Sequence, residues 1–206
     1  LLDELGTRWE ITRNYFRLYA CCNPIHPALD VLKAALAELK PRAAEIERIE
    51  FATYRFASVM RGANPPNYFA SKYSLPHAAA VMVVRGRAQH ADIDDSALLD
   101  PVITALRQRV SVVEDPAMSA VAPRLRPARV TVTLKDGRTA THACESHEGD
   151  FNQPYAESVL REKYRELAAH VLDAKGVAHV EQAIDRCDEW TSVADFTALL
   201  RKQNTS

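Results

Sequence analysis

The sequence predicts an α+β fold, in which a mixed region of strands and helices is followed by helices alone. Strand and helix patterns share the first 150 residues without the regular alternation of a doubly wound sheet. The pair Asp136-Gly137 between two alternating apolar segments predicts an antiparallel hairpin. We therefore divide the chain into a small α+β domain with a mixed or antiparallel sheet, residues 1–150, and C-terminal helices, residues 151–206.

The composition is that of an ordinary globular protein. Of 206 residues, 47% are hydrophobic and 26% charged, with a net charge of −1. Acids and bases are interspersed, so the sequence offers no basic surface for nucleic acid. It also has no apolar run long enough to cross a membrane. The four cysteines form no CxxC pair, which favours reduced thiols in a cytoplasmic protein.

The first half of the chain contains two strand patterns and one helix pattern. Trp9 to Leu18 mixes β-branched and aromatic residues and predicts a short strand. His26-Pro27 predicts the start of a helix whose apolar residues follow at helical spacing until Pro41 stops it. Ile49 to Thr53 alternates apolar and polar residues, which predicts a strand with one buried face.

The middle of the chain adds two helices and the hairpin. An alanine-rich helix is predicted from about Leu75 to Arg85, ended by Gly86. Ser96 is predicted to cap a further helix through about Arg107. A short strand at residues 110–113 precedes the hairpin of residues 130–142, and three helices are predicted after residue 149.

Two helix starts carry the candidate chemistry. The first segment places Arg17, Cys22 and His26 just before a helix N-terminus, which attracts anions through its unpaired N–H groups. The second has Ser74 and His77 at the start of the alanine-rich helix, where a hydroxyl and an imidazole suit anion binding and proton transfer. From spacing alone, the simpler interpretation of the first segment is that His26 caps the helix and the thiols fill the core. That of the second is an ordinary cap with a surface histidine at position 77.

Other reaction classes lack their motifs. The sequence has no HExxH, GxSxG, GxGxxG or phosphate-binding glycine loop, so no metal site, nucleophilic hydrolase, dehydrogenase or nucleotidase is predicted. The acidic segment Glu145 to Asp150 could belong to a metal loop, but a solvated turn is the simpler interpretation.

In their order along the chain, four segments resemble the MmgE/PrpD (2-methylcitrate dehydratase) family. The family pattern Lys-x-Tyr-Pro-x-Cys-x-x-x-His-Pro-Ala, preceded by Trp-x-Ile, is similar to Trp9–Ile11 and Arg17–Ala28. The pattern Ala-x-Phe-Ser-Leu-Pro-Tyr-Ala is similar to Ser71–Ala78, and Val-Thr-Val-x-Leu-x-Asp-Gly-Arg to Val130–Arg138. A fourth set comprises Gly149, Pro154, Lys163 and Tyr164.

The resemblance implies a two-domain enzyme of which this chain is the C-terminal part. Its α+β region corresponds to the family's lid domain, and its last helices to a helical domain whose larger part precedes Leu1. Family members are dehydratases, a decarboxylase and an epimerase that act on small di- and tricarboxylic acids without a cofactor. They commonly form homodimers. This piece alone is then expected to be inactive.

By resemblance, Arg17, His26 and His77 occupy catalytic positions, and Cys22 and Ser74 lie in substrate-binding segments. Arg17 replaces a lysine and His77 a tyrosine, so the substrate or reaction is expected to differ from 2-methylcitrate dehydration. Arginine keeps the charge, but its pKa is too high for a general base. A lyase and an epimerase both remain open, as does a non-catalytic binding or dimerisation module derived from the lid.

Overall fold

A computed structural model describes residues 4–200 and contains a four-stranded mixed sheet. The sheet has the order β2-β1-β3-β4; β1 pairs in parallel with β2 and antiparallel with β3, which in turn pairs antiparallel with β4. This arrangement confirms the predicted α+β class. The strands are β1 (Ile46–Thr53), β2 (Val110–Glu114), β3 (Ala128–Leu134) and β4 (Thr139–Cys144).

The central strand β1 alternates buried and exposed residues from Arg48 to Phe51 as predicted, whereas Ala52, on the opposite face, is also buried. Ile49, Phe51 and Thr53 are buried, whereas Arg48 and Glu50 are exposed. The pairing with β3 is irregular between residues 46 and 48. This irregularity lets Ile46 face the core although it lies three residues from Ile49, a spacing that would place it on the opposite face of a regular strand. The strand therefore buries one face along its whole length.

The hairpin between β3 and β4 was correctly predicted from its turn residues. Gly137 has φ = 89°, in the left-handed region where glycine carries no steric cost. Val130, Val132 and Leu134 all point into the core, as the alternation required.

Three helices, residues 26–39, 55–58 and 75–85, pack against the sheet. The helix predicted to start at His26-Pro27 spans His26–Leu39. The alanine-rich helix spans Leu75–Arg85 and ends at Gly86, as expected. The α-helices are α1 (His26–Leu39), α2 (Arg55–Ser58), α3 (Tyr68–Ser71), α4 (Leu75–Arg85), α5 (Asp95–Leu99), α6 (Pro101–Arg107), α7 (Pro116–Val121), α8 (Glu157–Ala168), α9 (Ala174–Asp185) and α10 (Val193–Leu199).

One apolar core joins α1, α4 and the sheet. Leu29 and Leu32 of α1 and the central residues of β1 and β3 are almost completely buried, and α1 packs over β3 and β4. Helix α4 packs against α1, α6 and β2. Its three consecutive alanines, residues 78–80, are all buried, so this helix has almost no solvent-facing side over its first two turns.

Two of the predicted elements were wrong. Trp9 to Leu18 forms no strand: it contains a short 3₁₀ helix (Glu10–Arg13) and an extended segment, and the Trp9 side chain is largely exposed. The helix expected from Ser96 to Arg107 is two helices, because Asp100-Pro101 ends α5 and starts α6. Asp94 and Asp100, not Ser96, cap them.

The described chain divides into two compact units, Leu1–Pro154 and Tyr155–Ser206. The second unit contains α8, α9 and α10, the three helices predicted there, although Arg201, the predicted end of the last one, lies outside the described residues. Arg161 and Arg165 of α8 form ion pairs with Glu181 of α9. Within residues 4–200, no helix combines the length and apolar content needed to cross a membrane.

Helix α8 carries little buried surface. None of its residues is fully buried, and Leu167 and, just after the helix, Val171 are 39% and 55% exposed. By the family resemblance the last helices belong to a helical domain, against whose other helices these apolar residues would pack. That assignment stays a prediction.

Candidate active site

The first unit contains an open groove of about 690 Å³ beside the start of α1. The segment before α1, helix α2, and the end of α7 with the residues after it form its walls. Its lining residues are Tyr15, Arg17, Cys22, Asn23, Pro24, Tyr54, Arg55, Phe56, Val59, Ser119, Ala122, Pro123 and Arg126.

Backbone hydrogen bonds from distant parts of the chain fix the segment before α1. The Phe16 amide donates to the Gly149 carbonyl at 3.0 Å, and the Cys22 amide to the Lys72 carbonyl at 2.8 Å. The extended chain thus needs no neighbouring strand to be held in place. On the other wall, the Arg55 amide donates to Ser119 Oγ at 2.8 Å, which joins α2 to α7.

The groove is positively charged. Its lining includes three guanidinium groups, those of Arg17, Arg55 and Arg126, and among the described lining residues there is no aspartate or glutamate. Phe56 and Val59, both mostly exposed, supply an apolar wall. An anionic ligand with some apolar surface matches this combination.

Tyr15 lies between two of the cations. Arg17 Nη2 donates to Tyr15 Oη at 3.0 Å, and the guanidinium carbons of Arg17 and Arg126 lie 5.4 and 5.3 Å from the centre of the Tyr15 ring. Partial burial raises the pKa of Tyr15, but the hydrogen bonds and charges of Arg17 and Arg126 outweigh it and hold this pKa below its usual 10.0.

The neighbouring thiols differ in exposure. Cys22 lines the groove, and burial raises its pKa although Arg17 acts in the opposite direction. Cys21 is buried in the core, where desolvation also raises its pKa strongly. Of the two, Cys22 alone can meet a ligand in the groove, and it is present there as a neutral thiol. Across residues 4–200, no three His, Cys, Asp or Glu side chains are grouped so that they could hold a metal ion.

His26 lies behind the groove rather than in its lining. Its side chain is completely buried, and Nε2 bonds the Cys21 carbonyl at 3.1 Å. The N-cap of α1 is Ile25, so His26 does not cap the helix as the sequence suggested. Its ring packs edge-on against Tyr19, with ring centroids 5.2 Å apart.

The second helix start does not share the groove. Ser74 Oγ accepts from the His77 amide at 3.0 Å and donates to the Gly62 carbonyl at 2.6 Å, so it is an ordinary N-cap. The His77 side chain is completely buried, and Arg107 Nη1 donates to its Nδ1 at 3.4 Å. Of the site residues expected from the sequence, Arg17 and Cys22 line the groove, whereas His26, Ser74 and His77 do not. Their roles stay predictions.

His77 should make stability depend on pH. Burial, followed by the positive charge of Arg107, lowers the pKa of His77 from 6.5 to about 4. Because the folded state holds the neutral imidazole, its contribution is complete above pH 6.5 and is lost as the pH falls towards 4. We expect His77→Gln to remove a destabilisation on the order of 3 kcal/mol between pH 7 and pH 4.

Urea unfolding of both proteins at a series of pH values measures this difference. The comparison is needed because burial raises the pKa of Asp30 to about 6, which changes stability in the opposite direction over part of this range. Asp30 is present in both proteins and cancels. Parallel pH curves for wild type and His77→Gln would contradict the role given to His77.

Four residues of the site were not predicted from the sequence. Tyr15 was assigned to a strand, and neither Arg55 nor Arg126 belongs to a recognisable motif. His147 lies in the segment interpreted as a solvated turn, yet its side chain is completely buried. Its ring stands edge-on to Tyr15 and to His26, with centroid distances of 5.3 and 6.0 Å. The signal in the sequence that could have identified His147 is its position between acidic residues.

The chain is similar in sequence to cis-aconitate decarboxylases and to a 2-methylcitrate dehydratase. The cis-aconitate decarboxylase of Aspergillus terreus (strain NIH 2624 / FGSC A1156) is 25% identical over 209 residues, covering 95% of this chain and 42% of that protein. The human cis-aconitate decarboxylase is 22% identical over 66% of this chain and 28% of its own length. The 2-methylcitrate dehydratase of Cupriavidus necator is 33% identical over 45% of this chain and 20% of its own length.

The chain spans less than half the length of these curated relatives. Residues 19–189, which include most of the groove, match the family described as the MmgE/PrpD C-terminal domain. The match covers more than half of the chain and contains most of the segments in which the resemblance was first seen, although Trp9–Ile11 and Arg17 precede it. The chain therefore belongs to the MmgE/PrpD family and carries its C-terminal domain.

Proposed function

We propose that this chain is the C-terminal part of a lyase that acts on a small di- or tricarboxylic acid and binds its carboxylates in the groove. The supporting observation is the set of three guanidinium groups along a groove whose described lining has no acidic side chain. A planar guanidinium can donate two parallel hydrogen bonds to a carboxylate, and several of them favour a ligand with several carboxylates.

The relatives support the same reaction class. Those that match are named for the decarboxylation of cis-aconitate and the dehydration of 2-methylcitrate. Both reactions pass through negative charge at a carbon next to a carboxylate. In the proposed site, Arg17 and Arg126 offset that charge, which is the kind of electrostatic stabilisation that acts most strongly in a site from which water is excluded.

Arg17 takes the binding role and not the proton-transfer role. Its guanidinium stays charged at any working pH, so it can hold a carboxylate but cannot remove a proton. The lysine that the family pattern has here could do both. The change therefore separates carboxylate binding from proton transfer in this protein.

The groove is only one part of the proposed active site. An open groove admits water, and the chain covers 42% of its Aspergillus terreus relative. We propose that a helical domain supplies the facing wall and further catalytic groups. It would also pack on the partly exposed apolar residues of α8.

The test is turnover by the longest protein that the gene encodes, measured on a panel of di- and tricarboxylates that includes cis-aconitate and 2-methylcitrate. Release of CO₂, or loss of water with formation of a double bond, supports the proposal, and the 206-residue chain alone is expected to show neither. Solvent deuterium incorporation without net reaction would identify an epimerase instead. Carboxylate binding without turnover or exchange would favour the binding module.

A further inference from the structure

We propose that Tyr15 transfers the proton at the reacting carbon of the substrate, an inference that rests on the proposed lyase function. By resemblance three residues occupy the family's catalytic positions, and one of them, His26, is completely buried outside the groove lining. Arg17 cannot release its proton, and His77 is sealed in the core beside Arg107. The described groove lining offers other titratable groups beside the bound carboxylates.

Tyr15 has the required position. It lines the groove and is partly exposed, so its hydroxyl can reach a bound ligand. Arg17 Nη2 donates to the same hydroxyl at 3.0 Å. A carboxylate held by Arg17 would therefore place its neighbouring carbon close to Tyr15 Oη, as general acid–base catalysis demands.

The other titratable groups described along the groove fit less well. Cys22 and Tyr54 both line it, but burial raises the pKa of each, that of Tyr54 to about 12. Tyr54 also donates its hydroxyl proton to the Pro24 carbonyl, at 3.4 Å. Tyr15 is the group whose surroundings stabilise the deprotonated form, because two guanidiniums lie beside its ring and its pKa is lowered.

The ring of Tyr15 also packs against a buried side chain. His147 is completely buried, and its ring meets Tyr15 edge-on with centroids 5.3 Å apart. The turn that carries His147 is tied to α1, since the Glu148 amide donates to Asp30 Oδ2 at 2.9 Å. This packing limits the positions of the ring, and a proton-transfer group needs such a fixed position.

The proton balances in either lyase reaction. In a decarboxylation, the carbon–carboxylate bond breaks, its electron pair stays on the carbon, and Tyr15 gives that carbon its proton; water then reprotonates the tyrosinate. In a dehydration, the tyrosinate takes the C–H proton, the electron pair of that bond forms the C=C bond, and the C–O bond breaks with its electrons on oxygen. The tyrosine then returns the proton to the departing hydroxide, which leaves as water.

Tyr15→Phe in the full-length enzyme tests the assignment, because it removes only the hydroxyl. We expect kcat to fall about 100-fold or more, which is the usual contribution of a general acid or base, while KM changes little. Tyr73→Phe is the matched control: Tyr73 is exposed and outside the groove lining, and the family pattern has phenylalanine there. It should retain full activity.

A second measurement separates chemistry from structure. Fluorotyrosine placed at position 15 acidifies the phenol without changing its shape, so the limb of the kcat–pH profile that Tyr15 controls should move to lower pH. Wild-type turnover together with an unchanged kcat in Tyr15→Phe and an unmoved profile would overturn the assignment alone. Absence of wild-type turnover on every polycarboxylate would overturn it together with the proposed function.

Discussion

In the longest protein that the gene encodes, replacing Arg17 with alanine is expected to lower kcat/KM of the proposed lyase reaction about 100-fold or more. Loss of one partner from a desolvated charge pair typically costs about 2–5 kcal/mol, and each 1.4 kcal/mol is about tenfold. In this site the change also removes the hydrogen bond to Tyr15 Oη and one of the two cations beside its ring. Carboxylate binding and the acidity of Tyr15 should therefore weaken together.

Arg17→Lys is the matched variant for this prediction. Lysine keeps the positive charge and is the residue in the family pattern, but it cannot form the two-pronged guanidinium contact. Its activity should lie between those of the wild type and Arg17→Ala. Steady-state kinetics on the best substrate measures all three proteins. An alanine variant within about threefold of wild type would show that substrate does not bind at Arg17.

Replacing Phe51 with alanine is expected to lower the free energy of unfolding by about 3–5 kcal/mol. Phe51 is 1% exposed and lies in the central strand β1, paired with Val112 on one side and Val130 on the other. Because β1 is the strand that joins the parallel and antiparallel parts of the sheet, a cavity there weakens both. The loss is a large part of the stability of an ordinary domain.

Phe69→Ala provides the comparison for the core variant. Phe69 is 71% exposed, so its loss should change the unfolding free energy by about 0.5 kcal/mol or less. Urea titrations of the wild type and both variants, followed by far-UV circular dichroism, give the two differences. A loss below about 1 kcal/mol for Phe51→Ala would contradict its placement in the core.

Local sequence signals correctly predicted the turns and helix ends that depend on a particular residue type. The turn at Asp136-Gly137 and the helix end at Gly86 require positive φ angles, and both glycines have them. The segment from Trp9 to Leu18 failed because composition alone suggested a strand. Its place is set by hydrogen bonds to residues far along the chain, such as Gly149, which no local pattern reveals.

The site was predictable only where one segment contains it. Arg17 and Cys22 were identified because they share a short motif, whereas Arg55, Arg126 and His147 reach the same region through the fold. His77 lies outside the groove lining for a different physical reason. A histidine at a helix start suggests an exposed terminus, but α4 is buried nearly all round, so the same position falls inside the core.

The most direct test is a structure of the full-length enzyme with an unreactive tricarboxylate bound. We predict carboxylate oxygens within hydrogen-bond distance, about 3 Å, of the guanidinium groups of Arg17 and Arg126, with Tyr15 Oη facing the carbon next to a carboxylate. A ligand bound elsewhere, out of reach of all three groove arginines, would contradict the groove as the carboxylate-binding part of the active site.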